Sequence, residues 1–219
     1  MSGSPEAVIR PYRAADRADV RRLACETAVR GTPVDTLFAD REVAADVLTR
    51  YYTDEEPSAL SVAASAGRVV GYLTGCLDSR RYARRMTWRI VPAAVLRAVR
   101  HGMLWHASTR RLLQAGWLTW RRGGLPRTFT APAYPAHLHL NVQEGFRGQR
   151  IGQHLTERFL QQAASAGVPG VHAAVRGDNA PACRLFERLG FTVLSRHPMV
   201  LPAGDSFHAH ETVMYGKRL

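Results

Sequence analysis

Residues 136–166 constrain this chain most. Ala136-His137-Leu138-His139-Leu140-Asn141-Val142 alternates, with Leu138, Leu140 and Val142 on one face and His137, His139 and Asn141 on the other. That is the period of a strand. It runs through Gln143-Glu144-Gly145-Phe146 into the loop Arg147-Gly148-Gln149-Arg150-Ile151-Gly152. Ile151, Leu155, Phe159 and Ala163 then recur at every fourth position, the single apolar stripe of a helix. A helix start leaves backbone N–H groups unpaired and carries partial positive charge. Small residues let an anion approach the backbone there, and Arg147 and Arg150 add charge. The loop is therefore a candidate pyrophosphate site, although many helices begin with Gly and Arg.

The flanking segments predict a mixed α/β sheet in one domain. Val8–Tyr12 reads as a first strand, and Asp16–Val29 as a helix with Asp16 near its cap. Gly31-Thr32-Pro33 breaks that helix, and Asp40–Tyr52 forms the next. Leu60–Ala66 and Arg68–Leu77 read as a hairpin turning at Ala66-Gly67. Ser79–Arg122 is helical, with Pro92 at a start or kink and breaks at Gly102 and Gly116. Gly123–Pro135 is a connector. After the central helix come a strand at Val171–Val175 and a helix at Pro181–Leu189, capped by Asp178 or Asn179. Two last strands, Phe191–Leu194 and Glu211–Tyr215, are separated by a turn-rich stretch. The expectation is a central sheet of about six or seven strands flanked by helices, with a helical insertion over 79–130.

Composition narrows the partners. Apolar residues make up 46% of 219 positions, enough for a core. No apolar run reaches the roughly 18–20 residues of a membrane span, and Met1–Ala7 does not resemble a signal peptide. Cys25, Cys76 and Cys183 are odd in number and far apart, which argues against disulfides and a structural zinc. The default is a cytoplasmic protein without a metal. The net charge of +12 sits in one segment. Between Ser79 and Gln143 there is no Asp or Glu, but there are 12 of the 30 basic residues, all arginine; the remaining 18 balance the 18 acids. All four tryptophans (Trp88, Trp105, Trp117, Trp120) lie in it too. Such a segment can be a solvated insert, or can meet an acidic partner, nucleic acid or an anionic membrane. No nucleic acid is expected.

The loop resembles the R-x-x-G-x-G/A signature of the GNAT (GCN5-related N-acetyltransferase) family, here Arg147-x-x-Arg150-x-Gly152. Asp178-Asn179-Ala180-Pro181-Ala182 and Leu185-Phe186-Glu187-Arg188-Leu189-Gly190-Phe191 resemble its N-x-x-A…F-Y-E-x-L-G-F pattern. Ala136–Val142 and Gly167–His172 are further similar to the acetyltransferase-like C-terminal domain of O-GlcNAc hydrolases. The resemblance implies an acetyl-CoA-dependent acyltransferase in which an amine acceptor, a small molecule or protein, attacks the thioester directly. It implies that coenzyme A is held by Leu140, Asn141, Val142, Arg147, Gly148, Gln149, Arg150, Ile151, Gly152, Asn179 and Phe186. The pantetheine would pair with backbone groups of Leu140 and Val142, and an N–H near Asn141 or Val142 would hold the thioester oxygen.

Two positions depart from the pattern. Arg150 replaces a signature glycine. Phe186 stands where the family has a tyrosine that protonates the leaving thiolate, and phenylalanine has no proton to give. Tyr72, Tyr134, Tyr215 or water are the alternatives, and a CoA thiol is already a fair leaving group. For deprotonating the amine, Glu144 and His139 come first, with Asn141 beside them although an amide is no base; Asp78 and Asp35 follow. Cys183 lacks an evident histidine partner for covalent catalysis. A second reading is an acetyl-CoA-binding pseudo-enzyme or interaction module whose basic insert docks an acidic partner. The insert could also form a homodimer face.

Overall fold

The computed structural model describes residues 7–27, 40–124, 131–203 and 206–219. The expected break at residues 31–33, the helix end at Ala28 and Val29, and Asp35 lie outside the described residues.

Seven strands form one mixed sheet in the order β1-β2-β3-β4-β5-β7-β6. β1 (Val8–Pro11), β2 (Leu60–Ser65), β3 (Arg68–Cys76) and β4 (Ala136–Val142) are antiparallel neighbours. Ala66 and Gly67, at φ 49° and 77°, make the tight β2–β3 turn that needs positive φ at both positions. β5 (Gly170–Arg176) is parallel to β4, as expected of a strand reached through a helix.

Helices cover both faces. α6 (Ile151–Ser165) buries Ile151, Leu155, Phe159 and Ala163 on one face, with Leu138, Leu73, Val171 and Phe186 in the same core. At Gly75 a Cβ would collide with the Phe159 ring, so α6 sits closer to the sheet than any side chain there allows. On the other face α1 (Arg17–Thr27) packs Val20 and Leu23 against Tyr51, Tyr52 and Tyr72. α2 (Arg41–Arg50) starts at Asp40, whose carboxylate accepts from the N–H groups of Glu42 and Val43. Asp16 lies near the cap of the helical turn that opens α1, in a capping box: it accepts from Arg13 N at 2.8 Å and pairs with Arg10 at 2.7 Å, and this pairing pulls its pKa down.

The segment after β3 is helical as expected: α3 (Ser79–Arg85), a wide turn, α4 (Val91–Arg100) and α5 (Ala107–Arg121). Gly102 breaks it at φ 66°. Gly116 does not; it lies inside α5, where nothing crowds it. α5 rests on the edge strand β6, with the Thr119 hydroxyl accepting from Val200 N at 2.9 Å.

The C-terminal region differs from expectation. Residues 195–203 and 206–210 are not loop: β6 (Thr192–Ala203) and β7 (Ser206–Arg218) pair antiparallel along their length. Pro198 and Pro202 suggest turns, but β6 is an edge strand, where a missing N–H can face outward at little cost. No helix among the described residues is long and apolar enough to cross a membrane.

Candidate active site

β4 pairs with β3 along its length, from Cys76↔His137 to Gly71↔Val142. With β5 it pairs only at Ala136↔Val171 and His137↔His172. Beyond His137 the two strands part. The N–H of Gln143 donates to the carbonyl of Val70 at 2.8 Å. Antiparallel pairs alternate between bonded and non-bonded, so the odd-numbered residues of β4 bond to β3. The backbone groups of Leu138, Leu140 and Val142 therefore turn toward β5, and past the last pair they face the gap.

The loop meets that gap. Glu144 is exposed at the start of a short helical turn, Glu144–Phe146. Arg147 is exposed, and its Nε donates to the carbonyl of Val142 at 3.2 Å. Gly148 takes φ 83° and Arg150 φ 59°. A left-handed arginine costs about 1–2 kcal/mol relative to a right-handed one, which is why glycine suits this place. Arg150 is the cap position of α6 but supplies no side-chain cap bond, so the first N–H groups of α6 point out of the helix without one. Gln149 is exposed beside it. Ile151 is buried in the core. At Gly152 a Cβ would lie 3.1 Å from Leu140 Cδ2 and 3.3 Å from Leu185 Cδ2, so α6 begins in close contact with β4 and with α7 (Ala180–Arg188).

Asn179 caps α7: its side-chain oxygen accepts from Ala182 N at 3.3 Å, which leaves the amide NH2 to other partners. Phe186 lies in the main core, its ring 5.0 Å from Phe191 and 6.0 Å from Tyr215. Of the three tyrosines considered as proton donors, one borders the gap strand. Tyr72 lies opposite Asn141 on β3 and accepts from its Nδ2 at 2.7 Å. Burial pushes the Tyr72 phenol up, so it keeps its proton at neutral pH. The Tyr215 hydroxyl donates to Glu187 at 3.0 Å. Glu187 sits two residues from Leu185, on the opposite side of α7, so Tyr215 faces away from the Leu185–Gly152 contact. Tyr134 lies at the start of β5, against Gly170.

At its other end β4 is closed by a polar network that the sequence does not announce. His137 is buried, with Nδ1 2.7 Å from Ser79 Oγ and Nε2 2.9 Å from Tyr52 Oη. Burial, then repulsion from His139 and His172, hold its pKa well below the usual imidazole value. His139 is exposed, so solvent moderates the downward push from surrounding protein atoms and His172. Tyr52 stacks on Tyr82 at 5.6 Å, and Tyr51 donates to Glu56 at 2.7 Å. Of the carboxylates, Asp78 is occupied as the cap of α3, accepting from Arg80 N at 2.9 Å. The Cys183 thiol points at the carbonyl of Arg176, 3.8 Å away.

With a splayed central strand beside an arginine-flanked helix start, the domain has a GNAT-like fold. Residues 117–191 match the family model "Acetyltransferase (GNAT) family". The solved structure of SsHAT covers 98% of both chains at 27% identity and a TM-score of 0.68. yncA of Salmonella typhimurium, solved with its cofactor acetyl-CoA, shares the fold at 16% identity and a TM-score of 0.57, covering 97% of this chain and 94% of its own. Among curated proteins the mycothiol acetyltransferase of Brachybacterium faecium is 46% identical over 50 residues, which is 23% of this chain and 15% of that protein. That of Nocardiopsis dassonvillei is 38% identical over 66 residues, 30% of this chain and 20% of that protein. This chain thus spans a minor part of those relatives' length.

Proposed function

We propose that the chain is an acetyl-CoA-dependent N-acetyltransferase that moves the acetyl group to an amine in a ternary complex. The observation that carries this is the parting of β4 and β5 after His137, which leaves strand-edge groups of Leu140 and Val142 open beside the start of α6. The residues fit coenzyme A. The open edge suits the amides of pantetheine. The N–H groups of Ile151 and Gly152, with Arg147 and Arg150, suit a pyrophosphate, and Gln149 flanks them. Gly148 supplies the turn and Asn179 an amide NH2 near the chain. Phe186 contributes from below, as packing that holds α7 in place. Bound acetyl-CoA supplies an activated acetyl thioester.

The chain's own groups then have separable tasks. A backbone N–H at Val142, aimed into the gap, stabilises negative charge on the thioester oxygen. The Asn141 amide holds the Tyr72 hydroxyl on the opposite face of β4. His139, midway along β4, and Glu144, just beyond its end, are both exposed and are the groups that take the proton from the ammonium. Neutral His139 has a lone pair to accept it across the physiological range. With Phe186 in the core, the thiolate leaves with a proton from water or from the acceptor itself.

The likeness to SsHAT runs the length of the chain and supports a relationship narrower than the fold. The motifs at 136–142 and 167–172 support the subgroup of the O-GlcNAc hydrolase C-terminal domains, with 79–130 as an insertion. The use of acetyl-CoA supports a cytoplasmic location.

Thermal shift with acetyl-CoA, followed by thiol release over a panel of amines and peptides, tests the reading. Stabilisation together with amine-dependent thiol release is expected. Absence of any stabilisation would sink it. The absence of a proton donor at Phe186 favours a second reading, a cofactor-binding module without turnover; stabilisation without thiol release by any acceptor would select it.

A further inference from the structure

Residues 79–121 carry exposed apolar side chains that no described part of the fold covers. α4 packs on α2 through Ala94. Its larger apolar residues Val91, Val95 and Val99 recur at every fourth position on the outward side and are exposed. α5 buries Ala115 and Thr119, while Leu113, Trp117 and Trp120, spaced by four and three, face solvent. Trp88, Trp105, Trp117 and Trp120 are 80%, 84%, 52% and 61% exposed. This inverts the usual pattern, in which a surface helix hides its apolar stripe.

Arginines are interspersed with the apolar residues in the sequence. Arg100, Arg110, Arg121 and Arg122 are exposed along the same segment. The Arg121 guanidinium lies 4.8 Å from the Trp117 ring, so cation and aromatic form one unit. The segment holds no acid between Ser79 and Gln143.

We propose that the exposed sides of α4 and α5 dock the protein on an anionic lipid bilayer. Charge complementarity selects that occupant. A second copy placed face to face would oppose arginine to arginine with no acid in the segment to pair them. A nucleic acid would leave Val95, Val99 and Leu113 in water, because aliphatic side chains serve neither phosphates nor stacked bases. An anionic bilayer accepts all three components. Aliphatic residues enter the acyl boundary, tryptophans sit at headgroup level, and arginines meet phosphates. Each arginine near such a surface adds about fivefold in partitioning. The attachment is peripheral, since no described helix can span.

The four tryptophans make the experiment self-reporting, because the chain has no others. The full chain is sedimented with vesicles of pure phosphatidylcholine, and with vesicles containing about 30% phosphatidylglycerol, while tryptophan emission is recorded. Binding to the anionic vesicles at least about tenfold tighter than to the neutral ones, with a blue shift on binding and release by salt, is expected. The pair Trp117→Ser and Trp120→Ser should lower that binding several-fold, with the apo melting temperature close to that of the parent. No sedimentation with anionic vesicles at low salt overturns the proposal. So does equal binding to both vesicle types, or unchanged binding of the double variant. A stable dimer whose emission is already blue and indifferent to vesicles assigns the face to a second copy, and duplex DNA binding without lipid binding assigns it to nucleic acid. Either result also overturns the proposal.

Discussion

The two ends of β4 do opposite things. At Ala136 and His137 the strand is paired on both sides, and His137 sits between Ser79 and Tyr52 with both ring nitrogens engaged. From Leu138 onward one edge is open, and the side chains that follow are half-buried or exposed. Yet the seven residues alternate without a break, and nothing in their hydropathy marks where pairing stops. The difference lies in the neighbours. The N-terminal end is walled by Tyr52, Tyr82 and His172. The C-terminal end meets the left-handed turn at Arg150 and the tight contact at Gly152. The buried polar network lies at one end of the strand and the proposed ligand site at the other.

Substitutions can break that division. His137→Leu removes one partner from each of two buried hydroxyl groups, those of Ser79 and Tyr52, and should cost about 2–4 kcal/mol by denaturant unfolding. The fold-change in stability on adding acetyl-CoA should stay that of the parent. Loss of the acetyl-CoA response in a folded His137→Leu protein would show that the two ends are coupled. Gly152→Val does the reverse. It should weaken acetyl-CoA binding at least about tenfold, roughly 1.4 kcal/mol, as read by calorimetry. Unchanged affinity would remove the start of α6 from the site.

Arg150→Gly sharpens the comparison through effects of opposite sign. Relief of the left-handed arginine should raise apo stability by about 1 kcal/mol, and loss of a cation should weaken acetyl-CoA binding a few-fold. A destabilised variant would mean that the Arg150 side chain is held by contacts worth more than the strain.

The smallest effect is on pH dependence. His137 is buried neutral, so the unfolded chain binds more protons than the folded one below the usual imidazole pKa of about 6.5. Its contribution is complete above that value and is lost as pH falls toward the lowered folded pKa. His172, lowered by burial, acts in the same direction. Stability measured from about pH 7 to 5 should therefore fall, and His137→Gln should flatten the slope. An unchanged slope would place the titration elsewhere.

Much of the scaffold is legible in the sequence because local chemistry and tertiary packing agree. Asp40 before a helical stripe, Ala66-Gly67 between alternating runs, and the stripe from Ile151 to Ala163 all form the elements they suggest. The long β6–β7 hairpin is not legible, because Pro198, Pro202 and the polar residues between them carry turn chemistry, and only an edge position makes them tolerable in a strand. The loop at 147–152 can be picked out as a candidate anion site from glycine and arginine alone. The parting of β4 from β5, the engagement of Asn141 by Tyr72 and the withdrawal of Phe186 into the core cannot. Each depends on which strand ends up as neighbour, and that is a property of the assembled sheet.

The parting of β4 from β5 also divides the molecule mechanically. Among the described residues, two ladder pairs join a four-stranded sheet, β1 to β4, to a three-stranded one, β5 to β7. α6 crosses that seam as a clasp, since its buried stripe shares one core with Leu73 on one side and Val171 and Val213 on the other. Amide exchange in the two halves is then governed by separate openings, and a ligand strand laid into the gap would convert two cooperative units into one.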